Sequence, residues 1–211
     1  MKRLLLVLLF VAGYANAACD DLYPNNQRIN VPATVELCNK SYVSIFNPTK
    51  HAVIATVERL RKTAPTAKVT RVDNFRSDPR VGPVPAPSQY VNSGFDKGHM
   101  APAGDSSDAK EMDESFFMTN MTPQSPQLNR GEWRRLEMKV RELFIAAKSD
   151  VFIITIAEYN GNQMMGSIPV PTGYWKIVVI DGSTIYFHAD NKPDAKVVRS
   201  NPVDLKALLW R

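Results

Sequence analysis

The chain has 211 residues, 44% of them apolar and 22% charged, with a formal net charge of +5 and two cysteines. That length and apolar share suit one domain with a real hydrophobic core, and no internal repeat or low-complexity block argues for anything else. The mild positive charge tolerates a polyanionic partner without demanding one, so charge alone assigns no function.

In chain order, "MKRLLLVLLFVAGYANA" sets Lys2 and Arg3 before an apolar run from Leu4 to Val11 and then Ala15-Asn16-Ala17. This order of charged, apolar and small residues predicts a signal peptide over 1–17, cleaved after Ala17 or one residue later. The rival, a membrane anchor, is disfavoured because the apolar run is short for a bilayer and no other long apolar stretch follows. The expectation is a secreted or periplasmic protein, soluble and off the membrane once processed, with residues 18–211 as a single domain. Cys19 and Cys38 read as a disulfide in such a setting. A two-cysteine metal site is the alternative, but neither cysteine has a histidine at ligand spacing.

Residues 40–58 give two strand-like runs around a turn at Asn47-Pro48. "PRVGPVPAPSQYVN", 79–92, is rich in proline and reads as a long extended loop of the kind often kept for function. It leads into "SGFDKGHMAPAGD", 93–105. A short helix is expected over Asp108–Phe117, and "TNMTPQSPQ" breaks regular structure. A helix then runs from Asn129 to Ala147, with Trp133, Leu136, Val140, Leu143 and Phe144 on one stripe. Glu137 and Arg141 form an i,i+4 pair on its flank. "DVFIITIAEY" is a strand, "YWKIVVIDGSTIYFHAD" a hairpin turning at Asp181-Gly182-Ser183, and "NPVDLKALLW" a closing helix with Pro202 in its first turn. Without a βαβ rhythm, these elements predict an α+β fold with a central, mainly antiparallel sheet flanked by helices.

The chain has three histidines, and His99 stands among Asp96, Lys97 and Asp105. A near-neutral imidazole beside charged groups suits proton transfer. The same setting also suits metal binding or the capping of a turn, so the fragment by itself leaves the three open.

More of the chain narrows the choice. Arg71 in "RVDNFRSDPRV", Asp96-Lys97-Gly98-His99 with "MAPAGD", the block "FFMTNMTPQSPQLNRGEWRRLE" and the strand "IPVPTGYWKIVV" follow one another in order. Over roughly Tyr42 to Val179 the chain resembles the DNA/RNA non-specific endonucleases, the sugar-nonspecific nucleases with a ββα-metal site. The family tetrad is usually Asp-Arg-Gly-His, and its second block reads as an asparagine before a "tPQ" turn, then LN-x-G-x-W-x-x-LE.

The resemblance implies an endonuclease that hydrolyses DNA and RNA with little sequence preference through phosphate contacts. His99 is then the general base. Asn129 is the direct protein ligand of one Mg²⁺ or Mn²⁺ ion that otherwise keeps its waters, as a small hard cation commonly does. Glu137 orients a water of the ion or helps protonate the leaving group. Arg71 and Arg141 pair with phosphate oxygens, Asn120 holds the site or the substrate, and Asp96 orients the tetrad. Lys97 belongs with Asp96 to the substrate side, and it keeps the charge of the usual arginine while losing its planar fork. "TIAEYNGN", 155–162, departs from the Thr-Gly-Pro turn of many relatives.

Plainer roles compete with these. Asn129 can be a helix N-cap, Glu137 and Arg141 a surface ion pair, Asn120 a turn former, and Arg76 competes with Arg71. Trp133 and Trp175 read as core residues, and His51 and His188 as structural. The alternative at the level of the whole protein is an inactive nuclease-like module that binds nucleic acid or a protein partner. The joint presence of His99, Asn129 and Glu137 argues against it.

Overall fold

The computed structural model describes residues 17–64, 69–82 and 84–201. The signal peptide expected over 1–17, apart from its last residue, and the closing helix expected from Pro202 lie outside the described residues. Among the described residues, no helix is long and apolar enough to cross a membrane.

Seven strands build the central sheet: β1 (Val35–Cys38), β2 (Tyr42–Asn47), β3 (Ala52–Leu60), β6 (Val151–Glu158), β9 (Gly173–Ile180), β10 (Ser183–Asp190) and β11 (Val198–Ser200). They lie in the order β1-β2-β3-β6-β9-β10-β11, and every neighbouring pair is antiparallel. The β9–β10 hairpin turns through Asp181 and Gly182, at φ 46° and 77°. Two successive positive φ values match the right-handed twist of the strands they join. The β1 and β11 edges are short and were not visible in the sequence pattern.

Strand alternation divides the core between the two faces of the sheet. Ile153, Ala157, Tyr174 and Val178 face Trp133, Leu136 and Val140 of the long helical segment. On the other face Val43, Ala55, Val57, Ile154, Ile156 and Ile177 pack against Cys19, Leu22, Tyr23 and Val31. The expected flanking helices thus cover one face. The second is closed by the N-terminal segment, which starts as the 3-10 turns Ala17–Leu22 and is tied to the end of β1 by the Cys19–Cys38 disulfide. Closing a loop of this size contributes about 3 kcal/mol through the unfolded chain. Cys38→Ser is therefore expected to lower the unfolding free energy measured by urea titration by that order, while leaving the other face of the sheet, and any activity there, intact.

Away from the sheet, β4 (Asp96–His99) pairs antiparallel with β5 (Met121–Gln124). The second strand corrects the reading of "TNMTPQSPQ" as irregular. Pro123 sits opposite Lys97 in a two-stranded ribbon, where the missing N–H is tolerated because the strand has a free side. The chain then enters α2 (Pro126–Leu128), a π-helical turn over Asn129–Trp133, and α3 (Arg134–Ala146). The expected long helix is present, though it begins three residues earlier and is underwound at its head. A second short helix, α1 (Ala109–Ser115), is capped by Asp108, whose carboxylate accepts from the Lys110 and Glu111 N–H groups.

Candidate active site

The β4–β5 ribbon and the helical segment after it bring most of the expected residues together. Gly98 is required by close approach: a Cβ there would meet Gln124 Oε1 at 2.4 Å. The ribbon can therefore close on Gln124 only with glycine in the tetrad. Alternation puts Lys97 and His99 on one side of β4, and both meet Phe75. Lys97 Nζ lies 4.6 Å from the ring centroid, and the imidazole 5.8 Å.

His99 also meets Phe116 edge-on at 5.1 Å. The residue retains some exposed area, but its Nε2 is cut off from solvent and has no protein partner. Burial, helped by the Arg71 guanidinium, pushes its pKa down to about 3. The ring is therefore neutral over the whole physiological range, as a proton acceptor must be.

At the other end of β4, about 10 Å away for a three-residue rise, Asp96 meets the head of the helix. Asn129 Nδ2 donates to Asp96 Oδ2 at 2.9 Å, and Arg130 donates to both carboxylate oxygens. Partial burial alone would raise the Asp96 pKa, but these hydrogen bonds hold it below the usual range. Among the described residues, Nδ2–Asp96 is the only side-chain hydrogen bond of Asn129. Its Oδ1, a hard neutral oxygen, accepts none and fits one position of a Mg²⁺-type shell. The π turn places it there: one extra residue in the first turn re-aims the asparagine relative to the α3 face.

Two turns on, α3 carries Glu137 and Arg141. The i,i+4 pairing expected between them is not made. Arg141 Nη1 donates instead to Asp105 Oδ1 at 2.6 Å, and the Asp105 side chain is 2% exposed. Glu137 has no hydrogen-bond or ion-pair partner among the described residues. Burial pushes its pKa up to about 7, opposed by Lys176, Arg141 and Arg134 and reinforced by Asp105.

Beneath α3, Glu58 and Lys176 stand on the helix-covered face of the sheet, 3% and 1% exposed. Lys176 Nζ donates to Thr155 Oγ1 at 2.9 Å and lies 5.2 Å from the Trp133 ring. Burial holds the Glu58 carboxyl well above the usual range, reinforced by Asp105 and opposed by Lys176. Asp105, Glu58, Lys176 and Arg130 were all missed as site residues. The available signal was a charge inside an apolar strand, as in "TVERL" and "YWKIVV".

Two expected roles change. Asn120 is fully buried, and both ends of its amide are used: Oδ1 accepts from Ala101 N–H, and Nδ2 donates to the Ala101 and Ser115 carbonyls at 2.9 and 2.8 Å. It fixes the backbone just after His99 and has no group left for substrate. Asp96, expected on the substrate side, is committed to Asn129 and Arg130.

Arg71 and Arg76 differ in exposure. Arg76 is bound to Asp113 and stacked on Phe117. Arg71 likewise pairs with Asp73 at 2.6 Å and lies 5.1 Å from the Phe116 ring, but it is 54% exposed and lines a groove of about 620 Å³. Phe75, Tyr90, Lys97, Asn129 and Arg130 line the same groove. Trp133 is core as expected, and His188 is held by Glu158 at 2.8 Å.

The chain is 40% identical over 117 residues to a nuclease of Nostoc sp., covering 52% of this chain and 42% of that protein. It is 29% identical over 206 residues to a nuclease of Serratia marcescens (89% and 75%) and 28% identical over 197 residues to human mitochondrial endonuclease G (84% and 66%). The chain thus spans less than half of the Nostoc relative and about two thirds or more of the other two. The fold is similar to that in a solved EndoG/EndoGI complex, with TM-score 0.72, 23% identity and coverage of 82% and 83%. The model of the DNA/RNA non-specific endonuclease family matches residues 23–204. The chain belongs to that family of metal-dependent nucleases.

Proposed function

We propose that this protein is an exported endonuclease that hydrolyses phosphodiester bonds of DNA and RNA with little sequence preference, using Mg²⁺ or Mn²⁺. The observation that carries the reading is the β4–β5–helix unit. It sets a neutral imidazole and an unengaged amide oxygen at two ends of one short strand, beside a groove lined with cations.

Phosphodiester hydrolysis needs a deprotonated water, relief of the charge that builds on phosphorus, and a proton for the departing oxygen. His99 accepts the proton from water. Arg71 and Lys97 face the groove and take phosphate oxygens, which carry no sequence information. Asp105 anchors the Arg141 guanidinium, whose charge also acts on Glu137. Glu137, poised near neutrality and unpartnered, supplies or orients the proton for the leaving oxygen. Asn129 would hold the cation, with Asp96 fixing its amide, and the bound cation would supply electrostatic stabilisation of the developing charge. The N-terminal pattern and the disulfide support export, since such a bond persists in an oxidising compartment.

Incubation with supercoiled plasmid and with RNA tests the reading. Both are expected to be cut with Mg²⁺ or Mn²⁺, EDTA is expected to stop cleavage, and rising salt to weaken it as phosphate contacts are screened. Binding of plasmid without nicking, under either ion, would establish the inactive-module alternative instead.

A further inference from the structure

Arg130 occupies one of the unspecified positions of LN-x-G-x-W-x-x-LE, so the resemblance assigns it nothing. The structure gives it a definite contact. Its Nε donates to Asp96 Oδ2 at 2.8 Å and its Nη2 to Asp96 Oδ1 at 2.6 Å, a two-pronged fit of guanidinium to carboxylate. Asn129 Nδ2 donates to that same Oδ2 at 2.9 Å. Three donors thus fix the carboxylate, and the carboxylate fixes the amide.

An ionised carboxylate only accepts, so the end of Asn129 facing Asp96 must be Nδ2. Oδ1 is then turned away from it. Were the Asp96 plane free to rotate, the amide would lose its reference. Among the described residues the neighbouring cation makes no hydrogen bond or ion pair to Asp96: Lys97 Nζ lies over the Phe75 and Tyr90 rings, 4.6 and 5.8 Å from their centroids.

We infer that Arg130 is a positioning residue for the divalent cation: by clamping Asp96 it locks Asn129 with Oδ1, not Nδ2, presented to the ion. The inference rests on the metal-nuclease reading above. The contrasting role is a direct phosphate contact, which its 73% side-chain exposure and place on the groove also permit.

The two roles differ in what they move. Mn²⁺ affinity is measured by electron paramagnetic resonance on the full chain without nucleic acid, for wild type, Arg130→Met, Arg130→Lys and Asn129→Ala. Supporting groups behind a metal ligand typically carry a tenfold or larger share of affinity. Arg130→Met is expected to weaken Mn²⁺ binding by about tenfold. Arg130→Lys, with the charge but not the fork, is expected to recover only part of it, and Asn129→Ala to abolish it. At saturating Mn²⁺ the KM for DNA is expected to stay within about twofold of wild type, because no uniform substrate contact is lost. Arg130 is exposed, so the melting temperature should hold; if Arg130→Met fails to fold, Arg130→Gln serves in its place.

Unchanged Mn²⁺ affinity with a raised KM and a shallower salt dependence would overturn the inference and make Arg130 a phosphate contact. A wild type that cuts DNA with Mn²⁺ while Arg130→Met binds the ion equally well removes this inference alone. A wild type that neither binds Mn²⁺ nor cuts removes the nuclease reading with it.

Discussion

Replacing His99 with alanine is expected to lower kcat for plasmid cleavage by about a thousandfold, the scale of a lost general base, while binding of DNA persists. Affinity should survive because the groove cations Arg71 and Lys97 are untouched. The fold should survive too. The imidazole contributes ring contacts to Phe75 and Phe116 but leaves a buried nitrogen unbonded, and its removal relieves that cost. Stability provides a second readout. The unfolded chain binds a proton at His99 near the ordinary 6.5, and the folded chain only near 3. Between those values the unfolded state holds more protons, so the folded state loses stability as pH falls below 6.5. Urea midpoints at pH 7 and pH 5 should therefore drop less for His99→Ala than for wild type. Wild-type cleavage rates in the variant would remove His99 from the chemistry.

Asn129→Ala carries the second large effect, an expected loss of about a thousandfold in Mg²⁺-dependent cleavage, equivalent to about 4 kcal/mol of transition-state stabilisation. The variant deletes the amide oxygen and also leaves Asp96 with Arg130 as its one remaining side-chain donor. Asn129→Asp separates the two losses. It restores a hard oxygen but sets a second carboxylate at hydrogen-bond distance from Asp96, where like charges repel. Only partial recovery, with a need for more Mg²⁺, is expected. A plain helix-cap role predicts otherwise: Asp is a good N-cap, so Asn129→Asp would restore activity and stability together. The structure already disfavours the cap. Asn129 has helical φ and ψ of −56° and −51°, and its side chain bonds to Asp96 rather than to a helix N–H.

Much of this site could be read from residues close together in the chain. The tetrad and the asparagine-headed helix are local patterns, and their order along the sequence carried the family. The helical stripe of Trp133, Leu136 and Val140 and the hairpin at Asp181-Gly182 followed from periodicity and turn chemistry. What was misread depended on partners far away. "TNMTPQSPQ" is a strand only because β4 lies beside it. Arg141 is held by Asp105, thirty-six positions back, rather than by Glu137 on its own helix. Asn120 is consumed by the Ala101 backbone, and Glu58 and Lys176 enter the neighbourhood of Glu137 only when α3 lies on the sheet.

The sequence by itself determined the fold class, the chemistry of the side chains and which histidine and asparagine to propose for the site, because helical and strand periodicity and short motifs are properties of neighbouring residues. The tertiary structure decided which groups are spoken for. Packing and hydrogen bonding between strands and helices set the burial of His99 and Glu137, and that burial shifts their pKa values. They also left Asn129 with one free oxygen, since desolvation and pairing depend on what packs around a group and not on what precedes it in the chain.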